Sequence, residues 1–264
     1  MNIVITGSTK GIGFGLAAEF VAQGHNVVIS SRQAAAVEAA LVQLRQIGTG
    51  KVEGCAADVS RIDDLRGLWA QAIAAFRSVD IWVNNAGISN RRLSLAELPA
   101  EQIESVVSTN LIGLINGSKV AVEGMLVQGS GKIFNMEGFG SDGLIAAGIS
   151  VYGTTKRGVR YFTKSIAREY RASPLVIGLV NPGVVVTELL TKGLYETGSD
   201  MFEQRKRFLN IVADRVETVA PILTKAMLTA DKTGKSIKAV TAWQILARFV
   251  CSPFVKRDVF HVAD

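Results

Sequence analysis

A chain of 264 residues, 48% apolar and 20% charged with five prolines, is long enough to bury one sizeable core. Its two cysteines, Cys55 and Cys251, stand without a CxxC partner, and its two histidines are His25 and His261; this leaves no disulfide framework, no cysteine-based zinc cluster and no ready basis for a histidine-dependent hydrolase or a multi-histidine metal site. The formal charge of +6 is concentrated in the tail, where seven Lys or Arg stand against three Asp from Lys225 onward, so the excess marks a basic tail rather than a groove for nucleic acid.

Met1 leads directly into the apolar run Ile3-Val4-Ile5. No basic or apolar leader precedes it, and the expectation is a cytoplasmic protein made where it works. Thr6-Gly7-Ser8-Thr9-Lys10-Gly11-Ile12-Gly13 comes next. Between a strand and a helix, such glycines permit a tight turn and close backbone approach, and the helix N-terminus offers free amides to a pyrophosphate. The second run, Val27-Val28-Ile29, ends in Ser30-Ser31-Arg32 with no carboxylate. A carboxylate there would accept the ribose 2′-hydroxyl and repel a 2′-phosphate, whereas Arg32 can clamp that phosphate and Lys10 can add a point charge. The cofactor expected is NADP(H), read as NADPH for a reductase.

Further strand-like runs follow at 52–56, 81–83, 133–134 and 176–180, with a last one at 236–240. They alternate with segments of helical spacing at 13–23, 34–47, 62–76, 101–128 and 151–171. Continuous apolar strands separated by helices predict an α/β fold: a single Rossmann-type, doubly wound parallel sheet of about seven strands with helices on both faces, spanning 1–264. The segment 187–220 interrupts the alternation at the carboxyl edge of the sheet, where ligands bind. Its Leu189, Leu190, Leu194, Tyr195, Met201, Phe202 and Phe208 either line a substrate lid or belong to the core. The extension 239–264 carries Trp243, Phe249 and Phe254, interrupted by Arg248 and Pro253. Its mostly apolar part, Ala239 to Val255, is interrupted and too short to span a bilayer, and is expected to pack on a partner subunit or lie on a membrane surface.

These residues together resemble the short-chain dehydrogenase/reductases over nearly the whole chain. Thr6 to Gly13 carry the family's glycine motif, Asp58-Val59 its adenine-binding position, Asn84-Asn85-Ala86-Gly87 its NNAG motif, and Asn110 its catalytic Asn. Tyr152-x-x-x-Lys156 and Asn181-Pro182-Gly183, followed by Val185 and Thr187, complete the set. The resemblance implies cofactor contacts from Gly7 to Gly13, Ser31, Arg32, Asp58, Val59, Asn85, Ala86, Gly87, Tyr152, Lys156, Pro182, Gly183, Val185 and Thr187. It also implies a homodimer or homotetramer. Tyr152 and Lys156 lie one turn apart on one helix face, and a neighbouring ammonium is expected to draw the phenol pKa down from near 10. Tyr152 is then expected to protonate a carbonyl oxygen, and the resemblance implies that Lys156 holds the ribose and Asn110 holds water in a proton relay, with no metal expected to take part.

One family feature is displaced. Glu137 and Gly138 stand where two serines are usual, and the next serine, Ser141, follows in Gly138-Phe139-Gly140-Ser141-Asp142-Gly143. The glycines allow this loop to fold back and present Ser141 to the substrate; otherwise Ser141 stabilises a turn and Tyr152 works without it. The run Asn-Met-acidic-Gly-x-Gly-Ser-x-Gly, with Asn210 to Ala220 and Thr233 to Ile237, is similar to the chlorophyll(ide) b reductases. That similarity implies a tetrapyrrole substrate, with the C7 formyl group of chlorophyll(ide) b reduced to hydroxymethyl. The alternatives are another aldehyde or ketone, or a catalytically silent binder of NADP(H) or pigment.

Overall fold

The computed structural model describes residues 1–195, 199–252 and 254–260, with side chains described for all of these except 192–195 and 199–204. Seven strands form one parallel sheet: β1 (Asn2–Ile5), β2 (Asn26–Ser31), β3 (Val52–Ala56), β4 (Ile81–Asn84), β5 (Gly131–Met136), β6 (Leu175–Asn181) and β9 (Ser236–Lys238). Their order is β3-β2-β1-β4-β5-β6-β9, so the winding reverses between β1 and β4. In sheets of this kind the carboxyl ends of the two strands at the reversal are where a ligand binds.

The strands are apolar on both faces, and successive side chains feed separate cores. Ile3, Ile5, Val27 and Ile29 pack with α1 (Gly11–Ala22), α2 (Ala34–Leu44) and α9 (Val216–Thr229). Val4, Val28, Trp82 and Ile133 face the other way, against α3 (Ile62–Phe76), α5 (Gly113–Gln128) and α6 (Ser150–Glu169). Fully buried Phe20 and Leu68 anchor the two layers, each contributing about 1.5–3 kcal/mol of burial. The sheet and the two helical layers thus match the expected fold.

Two elements differ from the periodicity. The segment 101–128, expected as one helix, comprises α4 (Ala100–Val107), a π-helical turn at Ser108–Ile112 and α5. Such a turn re-aims the side chains within it and is common at functional sites; here it holds Asn110. The segment 187–220 also divides. It supplies α7 (Glu188–Tyr195), α8 (Ser199–Val212) and β8 (Ala213–Asp214), which pairs with β7 (Val184–Val185). From Val216 it becomes α9, whose Val219 and Ala220 lie in the main core. Leu190 packs with Leu209 and Val212 in a small core beside the site, and Phe208 lies against Phe249. The candidate lid residues Leu194, Tyr195, Met201 and Phe202 lie outside the described side chains.

The C-terminal helix α10 (Ala242–Cys251) is fixed at its start by a reciprocal Thr241–Gln244 capping box. Its Arg248 and the later Arg257 both pair with buried Asp214, at 2.9 and 2.8 Å. The tail is thereby tied to the small β7–β8 ribbon. No helix among the described residues is long and apolar enough to cross a membrane.

Candidate active site

The turn after β1 forms a cradle for a dinucleotide. Gly7 and Gly11 have φ of +61° and +57°, which L side chains adopt only under strain. A Cβ added to Gly7 would lie 2.7 Å from the Ala86 backbone, and one on Gly13 2.5 Å from the Gly7 carbonyl oxygen. Helix α1 starts at Gly11 without a capping side chain, so its first amides remain open to an anion. The 84–87 segment is fastened to this cradle: the Thr6 hydroxyl accepts from the Asn85 and Ala86 amides, and Asn85 donates to the carbonyls of Thr6 and Gly7.

The residues expected at the cofactor are brought together here, with different freedom. Thr9 and Ile12 are half-buried, and Arg32 is exposed beside half-buried Ser31 at the end of β2. Ser8 is wholly buried; its hydroxyl donates to the Ile5 carbonyl and accepts from the Ser30 amide, so its role is to shape the turn. Lys10 pairs with Glu188 at the start of α7, and a Cβ on Gly11 would touch the Thr187 methyl at 3.5 Å. The entrance of the 187–212 segment therefore rests on the cradle. Asp58 accepts both the amide and hydroxyl of Ser60. Burial pushes its carboxyl up, but those bonds with the charges of Arg32 and Arg61 outweigh it and hold the group below the usual range. Val59 is buried against Gly113, Pro182 is buried, exposed Gly183 turns at φ +74° with its amide on Asn181, and Val185 is buried in β7. These side chains fit a dinucleotide: an amide-lined turn that a Cβ would fill, and no carboxylate at the end of β2.

Tyr152 and Lys156 lie on the first turns of α6, with the ammonium 5.8 Å from the phenol ring centre. Lys156 is buried and donates to the Met136 carbonyl at 3.2 Å. A Cβ on Gly87 would lie 3.4 Å from Asn110 Oδ1 and 3.5 Å from Lys156 Nζ, which puts all three residues around one point. Asn110 is fully buried; its Oδ1 accepts the Ile88 amide at 2.8 Å, while Nδ2 donates to the Ile88 carbonyl and to Thr155 Oγ1. Burial pushes the Tyr152 phenol up to about 12 and the Lys156 ammonium down to about 8, the latter opposed by the charge of Glu137. The downward shift expected for the tyrosine is thus not found: desolvation by burial sets the direction for the phenol. At neutral pH Tyr152 holds its proton and Lys156 is mostly charged, which is the state required of a proton donor.

The displaced serine has a clear geometric counterpart. A Cβ on Gly138 would lie only 2.4 Å from Tyr152 Oη, so the phenol hydroxyl occupies the space a side chain would need. The Ser141 amide donates to the Gly138 carbonyl at 3.1 Å, closing a turn that returns Ser141 to within about 7 Å of Gly138. Arg157 donates to the Ser141 carbonyl, and Ser141 Oγ is buried with no hydrogen-bond partner among the described residues. An unpaired buried hydroxyl is costly unless something else bonds it.

Three further residues support the site, and none was assigned a role from the sequence. Asn90 accepts from the Tyr152 amide and donates to the Gly148 carbonyl, setting the start of α6. Thr155 bridges Asn110 to the Tyr152 carbonyl. Glu137 is buried and pairs with Arg160 at 3.1 Å. Asn90 belongs to no short motif, Thr155 lies inside Tyr152-x-x-x-Lys156 and Glu137 in the Asn-Met-acidic-Gly run, but their partners are distant in sequence or on the far side of a helix turn.

A model of the short chain dehydrogenase family matches residues 1–196. The chain is 40% identical to chlorophyll(ide) b reductase NOL of Arabidopsis thaliana, over 88% of this chain and 67% of that protein. It is 36% identical to the probable chlorophyll(ide) b reductase NYC1 of the same plant, over 95% of this chain. Both relatives are described as chloroplastic, and the chain spans only 53% of the length of the second. Among solved structures, levodione reductase superposes with a TM-score of 0.81 at 22% identity, covering 90% of this chain and 96% of that one.

Proposed function

The chain belongs to the short chain dehydrogenase family, and from that premise we propose that it is an NADPH-dependent carbonyl reductase acting on the C7 formyl group of chlorophyll b or its phytol-free chlorophyllide. The observation that carries this reading is the buried Tyr152–Lys156 pair with Gly138 against the phenol hydroxyl, in a chain similar to two chlorophyll(ide) b reductases. Arg32 at the end of β2, with no carboxylate beside it in β2, supports NADPH over NADH. The fold and the serine displacement are compatible with an aldehyde of any size; the similarity over most of the chain favours the pigment.

The nicotinamide, when bound, supplies the hydride. The chain's own residues do the rest. Glycines 7, 11 and 13 and the amides of α1 take the pyrophosphate, and Lys156 holds the nicotinamide ribose. Tyr152 donates its proton to the formyl oxygen as the C=O π bond opens. Charged Lys156 then stabilises the phenolate, which regains a proton from solvent through the Lys156–Asn110 side of the site. Ser141, with its unpaired hydroxyl, donates to the same substrate oxygen. The 187–212 segment forms the lid over the cleft. Self-association to a homodimer or homotetramer uses the outer faces of α5 and α6, where Ile115, Leu126 and Tyr161 are exposed.

Tyr152→Phe separates chemistry from binding. Loss of a positioned general acid lowers kcat by about 10²–10⁴-fold, while NADPH affinity, read from its fluorescence, is largely retained because the substitution keeps the aromatic ring and removes only the hydroxyl. Unchanged turnover in the variant would remove Tyr152 from the proposed role.

A further inference from the structure

Glu137 occupies a costly position without touching the cleft. It directly follows β5, one residue after the Met136 carbonyl that accepts Lys156 Nζ and one before the Gly138 that faces Tyr152 Oη. Its side chain has 0% exposure. One oxygen accepts from Arg160 Nη1 at 3.1 Å, and the other accepts from Ser236 Oγ at 3.4 Å. Its amide donates to the Val180 carbonyl at 2.8 Å, which continues the β5–β6 ladder and fixes the direction of the side chain. A buried ion pair is seldom more stabilising than apolar residues of the same volume. An acidic residue here therefore calls for a role other than packing.

The charges around the site identify that role. Lys156 is buried, and around it stand Tyr152 from its own helix, Asn110 from the π-helical turn and the Met136 carbonyl from β5, while a Cβ on Gly138 would lie 3.2 Å from Lys156 Cε. Glu137 sits between Met136 and Gly138, and its charge favours the ammonium. Arg160, a further turn along α6, adds a like charge that is paired with Glu137 and 22% exposed. Glu137 is the carboxylate among the described residues that offsets the burial of the lysine. We propose that Glu137 is a positioning residue: a buried counter-charge, held in place by Arg160 and Ser236, that keeps Lys156 protonated in its desolvated site. It acts through Lys156 and does not touch substrate. The inference rests on the cofactor-binding role of Lys156 proposed above.

The consequence is a pH dependence with a defined sign. Lys156 carries its charge below about pH 8 and loses it above, so NADPH affinity and kcat both fall as the pH rises through that value. Removing the Glu137 charge makes the ammonium less favourable, and the fall moves to lower pH by roughly half to one unit.

The test is the NADPH dissociation constant, measured by cofactor fluorescence from pH 6 to pH 10, for the parent protein and Glu137→Gln, Glu137→Ser and Glu137→Asp. The two neutral variants differ in size, so failure of one to fold leaves the other to be read. A midpoint displaced downward in the neutral variants and retained in Glu137→Asp is the expected result. A midpoint equal to the parent's in a folded neutral variant, whatever its affinity, would overturn the inference, because a purely structural role changes affinity without moving the titration. A parent protein that does not bind NADPH would instead overturn the functional reading on which the inference rests.

Discussion

At Gly138, the lack of a side chain decides where the hydroxyl of Tyr152 can lie. A serine built on the same backbone would overlap that hydroxyl, so the absence of a side chain at position 138 and the placement of the Tyr152 hydroxyl go together. Ser141→Ala follows from this. If Ser141 Oγ is kept unpaired for the substrate oxygen, its loss lowers kcat/KM by about 10- to 100-fold, the range of one hydrogen bond to a charged or developing charge. Thermal stability stays level or rises, because the deleted group has no partner in the fold. A steady-state assay alongside a melting curve checks both; a stability loss with unchanged kcat/KM would make Ser141 a turn residue only. Tyr152 and Lys156 could be read as a pair because their motif is local, and Asn110 only from its place in the order of the family motifs. Glu137 was legible only as a departure, since its partner Arg160 lies 23 residues away on a helix. The direction of the tyrosine shift was not legible, because proximity to a cation can be read from spacing whereas burial cannot.

Among elements, the small β7–β8 ribbon links the site to the tail. Asp214 is buried in it and accepts from Arg248 and Arg257, while Arg257 also donates to the carbonyls of Ile211 and Ala213. Asp214→Asn leaves two guanidinium groups with no carboxylate at this point. The expected cost is about 3 kcal/mol, at the lower end for a broken buried pair because both arginines still reach some solvent. Urea unfolding should show a lower midpoint with an unchanged slope; a midpoint equal to the parent's would show that the cluster does not hold the tail. The strands and long helices were readable from periodicity, since apolar runs buried on both faces have few alternatives to a parallel sheet. The π-helical turn at Asn110 was not, because apolar residues at helical spacing continue on both sides of it. The division of 187–220 was equally hidden: apolar residues at helical spacing do not reveal which neighbours they meet.

For the whole molecule, one sheet places the glycine turn, the 84–87 segment, the end of β5 and the start of α6 around a single crevice, although they are spread over the first 156 residues. Chain order and strand order differ, and that difference brings Gly7 beside Ala86 and Lys156 beside Asn110. The family motifs foreshadowed this gathering because they occur in the order that the winding needs. The outward apolar residues of α10, Trp243, Leu246 and Val250, had no such guide, since exposure depends on what the helix packs against.

The central claim is that this crevice delivers a hydride to the formyl carbon of the pigment. The most direct measurement uses NADPH deuterated at both C4 positions, chlorophyllide b and the purified protein, with the product analysed by mass and absorption. The account predicts a 7-hydroxymethyl product carrying a single deuterium on the new hydroxymethyl carbon, absent when Tyr152→Phe replaces the parent and much slower with NADH. Deuterium appearing in simple aldehydes while the pigment is recovered unchanged would contradict the account.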